Sequence, residues 1–363
     1  MERIDKFLLF PFLFLIIVGC IMVFSASVSI QSNNTGMVSL FLKHLITIGI
    51  GSIFFFLCYF LPLEYWQKII YLLLIIIIVC LILVLIPGVS NEIKGAKRWL
   101  KFPFGFSFQP SFFCKWLLII YMATSLSKKT PEKIKSFTKG ILPYLIILFV
   151  LGLLFLFEPD FGGFAVMVLI SFVMMLLAGT RLIYWIAMGI VVSPFFVYMV
   201  MTKTYRVQRL LAFVDIWKYA QSYSYQIVQS LFSFAAGGVT GKGLGNGTQK
   251  LMFLPEAHTD FIFSVIGEEL GFLGTLSVVI AFIMITVRGF YIAYRLSENS
   301  FLCFLACGLT IFISLEAVFN MLVTLSMAPP KGLPLPFISY GGTAMLVYLS
   351  SMGMLFNLSR RVK

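Results

Sequence analysis

Charge is scarce in this chain of 363 residues: 11% are Asp, Glu, Lys or Arg, where an ordinary soluble domain has about 25%. That shortage excludes a soluble globular domain, because such a domain needs a charged surface. Histidine is scarcer still, with only His44 and His258. The six cysteines, Cys20, Cys58, Cys80, Cys114, Cys303 and Cys307, all fall within apolar runs, where thiols pack as small hydrophobes. Neither a zinc site nor a disulfide framework is expected from such a set.

What is present is apolar sequence, 60% of the chain. Runs of about 20 residues, enough to cross roughly 30 Å of hydrocarbon as helix, recur ten times. They fall near Phe7 to Ser25, Val38 to Phe60, Ile69 to Ile86, Pro110 to Ser125, Ile141 to Phe157, Phe161 to Leu177, Leu182 to Met201, Phe261 to Thr286, Leu302 to Leu325 and Thr343 to Leu358. The first has no small-residue cleavage site after it and reads as a retained helix, not a signal peptide. The expected fold is therefore all-α and polytopic, one transmembrane domain over residues 1–363 with ten spanning helices. Arg3, Lys6, Lys68, the cluster from Lys128 to Lys139, Arg181, Arg288, Arg295, Arg360, Arg361 and Lys363 share the side of both termini, which the positive-inside rule makes cytoplasmic.

The other side breaks that rule. Lys94, Lys97, Arg98, Lys101, Lys203, Arg206, Arg209, Lys218, Lys242, Lys250 and Lys331 fall at or near the outer face. Long loops translocate whatever their charge, which is one account; a cationic surface for an anionic ligand is the other. The longest outer loop, about residues 202–260 between the seventh and eighth spans, exceeds the usual 4 to 6 residues by far. Its glycine-rich stretch Ala235 to Lys250 is no P-loop, since Ala236 and Gly243 stand where that motif requires Gly and Ser or Thr. A second loop, Met327 to Gly342, carries Pro329, Pro330, Pro334 and Pro336 and cannot be helical throughout.

Seven stretches in order then carry a family resemblance: GAKRWL (Gly95 to Leu100), QPS (Gln109 to Ser111) with Lys115, EPDFG (Glu158 to Gly162), YRVQRLLAFVDIW (Tyr205 to Trp217), YQIVQSLFSFAAGGVTGKGLG (Tyr225 to Gly245), LPEAHTDFIFSVIGEELGFLG (Leu254 to Gly274) and KGLPLPFISYGG (Lys331 to Gly342). The chain resembles the SEDS family (shape, elongation, division and sporulation) over nearly its whole length, and its wording is nearer the division branch than the elongation branch. The resemblance implies a peptidoglycan glycosyltransferase that polymerises lipid II, an undecaprenyl-pyrophosphate glycolipid, at the outer face of the bacterial cytoplasmic membrane, at the division septum. It implies a class B penicillin-binding protein and other division proteins as partners, the membrane as environment, and no nucleic acid. An elongation-type polymerase, a lipid II flippase and a scaffold recruiting the synthase are the rival readings. Transport predicts polar residues through the midplane, whereas polymerisation crowds them at the outer surface.

By this match Asp260 is the catalytic general base, taking a proton from the attacking sugar hydroxyl. Position alone favours an N-cap aspartate of the eighth span. From Asp260, Ser264, Gly267, Gly271 and Gly274 lie on one helical face, a stripe of small residues that lets another element approach. Arg206, Arg209, Lys242 and Lys331 are the cations expected to stabilise the departing pyrophosphate. Glu256, His258 and Ser339, in the matching motifs, are further sugar or pyrophosphate candidates. Asp160 is a possible second carboxylate, and a divalent ion, Mg²⁺ or Mn²⁺, shared between phosphates and carboxylates is compatible with the set. Glu268 and Glu269 point away from Asp260, so Lys115 is expected to pair with one of them inside the membrane. Three residues depart from the family pattern: Phe112 where Glu is usual, Ile216 where Pro is usual and Pro330 where Thr is usual. The first removes a charge for which Glu158 or Glu316 would have to compensate.

Overall fold

The computed structural model describes residues 4–27, 36–86, 88, 90–93, 96–101, 107–201, 204–251, 253–329 and 331–362; Arg3, Lys94, Lys203, Pro330 and Lys363 lie outside them. Each of the ten apolar runs coincides with a helix: α1 (Lys6–Ser27), α2 (Gly36–Phe60), α3 (Leu63–Leu85), α4 (Pro110–Ser127), α6 (Leu142–Phe157), α7 (Phe161–Leu177), α8 (Leu182–Met201), α11 (Ile262–Arg295), α12 (Ser300–Thr324) and α13 (Gly342–Ser359). Among the described residues six helices are long and apolar enough to cross a membrane, α1, α2, α3, α11, α12 and the segment Phe137–Phe157 that ends with α6. An unbroken helix satisfies its interior backbone polar groups within itself, the condition for crossing hydrocarbon.

Packing sorts these helices into a centre and a periphery. The helix α12 contacts α4, α7, α11 and α13 and is the most buried of the six. Ile75, Phe149 and Leu273, by contrast, are exposed apolar side chains on the outside of the bundle, as lipid contact requires. One end of the bundle joins Asp5 to Arg288 at 2.7 Å and Glu64 to Arg361 at 2.5 Å, the groups that charge bias placed together on the cytoplasmic side. The opposite end gathers the long loops.

Three features of that end differ from the expectation. The fold is not purely helical: β1 (Ser90–Ile93), β2 (Ala96–Lys101) and β3 (Ser107–Phe108) form an antiparallel sheet between α3 and α4, with Leu100 opposite both Ser90 and Phe108. The long loop holds two helices, α9 (Thr204–Val214) and α10 (Tyr225–Gly237). And α11 is broken at Gly271, whose φ of +67° only glycine adopts at low cost, so the short piece before it is separate from the spanning piece after it. From Phe272 to Arg295 the second piece is about 36 Å long at 1.5 Å per residue, enough to cross alone.

Candidate functional site

The loop before α11 and the loop before α13 are stitched into one body at the outer end. Tyr340 N–H donates to His258 O at 2.9 Å, and the Ser339 hydroxyl donates to Thr259 O at 2.6 Å while accepting from Leu335 N–H at 2.7 Å. Asn320, buried on α12, donates from one Nδ2 to both Asp260 O (2.8 Å) and Leu333 O (2.6 Å). Glu256 and Phe337, at φ of +58° and +66°, hold left-handed backbone at the two junctions. Non-glycine residues persist there only when their surroundings over-determine them.

These ties bring Asp260 to Lys331 and Gly332. Asp260 is half-buried and Gly332 exposed, and a methyl group on Gly332 would lie 2.3 Å from Asp260 Oδ2. The carboxylate therefore rests against bare backbone at the mouth of the site. The N-cap of α11 is Phe261, so the capping role that position suggested for Asp260 is not the one it has. The capping aspartate is Asp160, which begins α7 and accepts from Gly163 N–H at 3.1 Å.

Lys331 runs inward from the same loop across Gly162, where a methyl group would sit 1.5 Å from its Cε. Its Nζ is buried and, among the described residues, has no hydrogen-bond partner. Burial lowers its pKa to about 8, against the opposing pull of Asp160. Asp160 is disfavoured as an anion by burial, but the charges of Lys331, Arg98 and Lys115 outweigh that and hold its pKa below the usual aspartate value. Arg98, from β2, donates to the backbone carbonyls of Glu158 (2.9 Å) and Pro159. The Glu158 carboxyl is fully buried without a hydrogen-bond partner among the described residues, and burial together with the Asp160 charge raises its pKa to about 8. The loop that sets Gly332 against Asp260 thus also carries an ammonium that is buried without a hydrogen-bond partner among the described residues, an arrangement suited to receiving an anion near a base.

Several sequence expectations are corrected here. Lys115 pairs with Glu316 of α12, not with Glu268 or Glu269, and Tyr348 of α13 donates to the other Glu316 oxygen. Two carboxylates instead clamp the glycine-rich loop. Glu268 accepts from Lys242 Nζ (2.9 Å) and Thr248 N–H (2.8 Å), and Glu269 from Lys250 Nζ (2.5 Å), Ser25 (2.7 Å) and Gly245 N–H (2.9 Å). Lys242 is thereby engaged away from Lys331. The small-residue stripe does admit a close neighbour: Ser264 meets Ser230 of α10 at 2.5 Å, and Gly267 carries Phe234 over it. The backbones of Arg206 and Arg209 lie on α9, and their side chains are outside what is described. Ile216 lies just beyond that helix, far from this cluster in sequence.

Arg98, Asn320 and Tyr348 were missed. Asn320 left a legible signal, a lone amide inside an apolar run, which hydrocarbon tolerates only with partners. Arg98 left a weaker one, as a basic residue in a matching motif on the outer side.

A helical membrane protein with a carboxylate and a buried cation joined at one membrane face is the class that fold and site define. The model of the cell cycle protein family FtsW/RodA/SpoVE matches residues 6–363, and the chain belongs to this family. A probable peptidoglycan glycosyltransferase FtsW of Trichlorobacter lovleyi is 41% identical over 95% of this chain and 90% of its own length. One of the same description from Geobacter sp. (strain M18) is 40% identical over 100% and 98%. Among solved structures, a chain from a peptidoglycan synthase complex, in which polymerization and crosslinking are coordinated, superposes with a TM-score of 0.79 at 25% identity, covering 100% of both chains. The rod shape determining protein RodA of Thermus thermophilus superposes with a TM-score of 0.69 at 24% identity, covering 99% and 98%, and shares the fold.

Proposed function

We propose that this protein is a peptidoglycan glycosyltransferase that polymerises lipid II at the outer face of the cytoplasmic membrane during septal wall synthesis, with ten spanning helices and both termini cytoplasmic. The names of its relatives support the activity, and the close approach of the Asp260 carboxylate to Gly332, next to Lys331 in the chain, is the observation that carries the mechanism. Asp260 takes the proton from the acceptor sugar's 4-hydroxyl as its oxygen attacks the anomeric carbon of the donor. The bond from that carbon to the pyrophosphate breaks, and Lys331, with Arg98 behind it, stabilises the departing charge. Arg206 and Arg209, whose positions fall on α9, are proposed as further cations for the pyrophosphate. Glu256 and His258 flank the base and are sugar contacts, whereas Ser339 acts through the backbone it fastens.

A divalent ion, Mg²⁺ or Mn²⁺, would be shared between the pyrophosphate and one or two carboxylates, with Asp260 the carboxylate proposed for it, since Asp160 faces the cations Lys331 and Arg98. A class B penicillin-binding protein, as a source of crosslinking, and other division proteins are the proposed partners, in line with the coordinated activities of the solved synthase complex.

Proteoliposomes holding the purified complex and labelled lipid II in both leaflets test the activity. Glycan strands formed from outward-facing lipid, with no change in the sidedness of the rest, are expected. Redistribution of lipid II between leaflets without strands would replace polymerisation by transport.

A further inference from the structure

Beneath the loop that carries Lys331 lies a second, fully buried cation. Lys115, one turn into α4, is held by Glu316 and stacks over the rings of Phe112 and Phe312 at 4.0 and 5.7 Å. Tyr348 completes the cluster by donating to Glu316, and its hydroxyl lies 3.3 Å from Pro334 O in the Lys331 loop. Glu316 also precedes Asn320 by one turn of α12, so one helical face carries both the charge pair and the amide that ties Asp260 to Leu333.

We propose that Glu316 is a positioning residue for the reaction: by neutralising Lys115 under the loop, it keeps Lys331 charged and in place to receive the departing phosphate. The inference rests on the glycosyltransferase reading above. The charged groups that act on Lys331 are Arg98 from β2, Lys115 from α4, Asp160 from the turn before α7 and Glu316 from α12, while Tyr348 of α13 lies against Glu316 and within the field of Asp260. Lys115 and Arg98 disfavour its protonated form, and Asp160 and Glu316 favour it. Glu316 therefore acts twice, directly on Lys331 and by cancelling Lys115. Loss of its charge must lower the pH at which Lys331 gives up its proton, and loss of Lys115 must raise it.

The test is the alkaline limb of glycan polymerisation by the purified complex with its penicillin-binding partner, for the wild type, Glu316→Gln, Lys115→Met and the double variant Phe112→Glu/Glu316→Gln. Residue 112 stands three before Lys115 on α4, where a glutamate reaches it. The limb of Glu316→Gln should move down by roughly half to one pH unit, with a fall of about two- to fivefold in rate at the midpoint of the wild-type limb. Lys115→Met should move it up, and the double variant should bring it back. A merely structural role for the pair would lower yield and melting temperature and leave the limb in place. Should Glu316→Gln fail to fold, the direction for Lys115→Met decides. Limbs unmoved in folded variants, or a downward move in Lys115→Met, would overturn the inference. A wild-type complex that makes no strands would instead reject the glycosyltransferase reading.

Discussion

At Glu158 a carboxyl group is fully buried beside Asp160, with Arg98 bound to its backbone and not to its side chain. Its pKa is raised by burial from 4.5 to about 8. A raised carboxyl pKa means that the folded state holds the proton more tightly, so the stability it contributes is fully present below pH 4.5 and is lost as pH rises through about 8. At about 1.4 kcal/mol per unit, the shift caps that contribution at about 5 kcal/mol. Glu158→Gln, which keeps the shape and removes the ionisation, should flatten the fall in melting temperature between pH 5 and pH 9 and exceed the wild type at the alkaline end. An unchanged slope in detergent-purified protein would show that Glu158 ionises without cost. The motif Glu-Pro-Asp was visible in the sequence, but which of its two acids is the anion was not. That division comes from the cations Lys331 and Arg98, brought in from distant parts of the chain.

At the scale of elements, the glycine-rich loop and the break in α11 form one device. Gly271 turns the chain, Lys242 N–H and Gly243 N–H donate to Glu268 O and Glu269 O at 3.0 Å each, and the two carboxylates take the loop's lysines. The two ion pairs should differ in weight. Lys250 and Glu269 are both buried, and Glu269→Gln leaves a buried ammonium uncompensated, a loss of about 3 to 5 kcal/mol. Lys242 is a third exposed, and Lys242→Ala should cost about 1 kcal/mol or less. Thermal melts with limited proteolysis of the loop check this, and equal losses would contradict the burial argument. The ten helices were legible because a run of apolar residues in a bilayer has little alternative to helix. The sheet of β1 to β3 was not, since its strands are short and polar and draw their register from one another. Nor was the partner of Lys115, because helical geometry gives depth along an axis but not which neighbouring helix faces inward.

For the molecule as a whole, two bundle ends have distinct chemistry, one held by the exposed or half-buried pairs Asp5–Arg288 and Glu64–Arg361, the other holding the buried charges of Glu158 and Lys331 without hydrogen-bond partners among the described residues. Polar groups concentrated at one end suit work on a lipid headgroup there, and the deepest of them, Lys115 with Glu316, are paired and not strung across the bundle. Asp260 stood out as the candidate base through the motif around it, while its setting against Gly332 depends on a residue 72 positions later in the chain. The most direct measurement of the central claim is lipid II polymerisation by the purified complex carrying Asp260→Asn beside Asp160→Asn. Asparagine keeps nearly the shape of aspartate but takes up no proton, so Asp260→Asn should keep expression, partner binding and lipid II affinity while strand formation falls by about 10² or more. Asp160→Asn, whose residue caps α7, should retain far more of the rate. Substantial strand formation by the Asp260→Asn complex, or loss confined to Asp160→Asn, would contradict the assignment of the base.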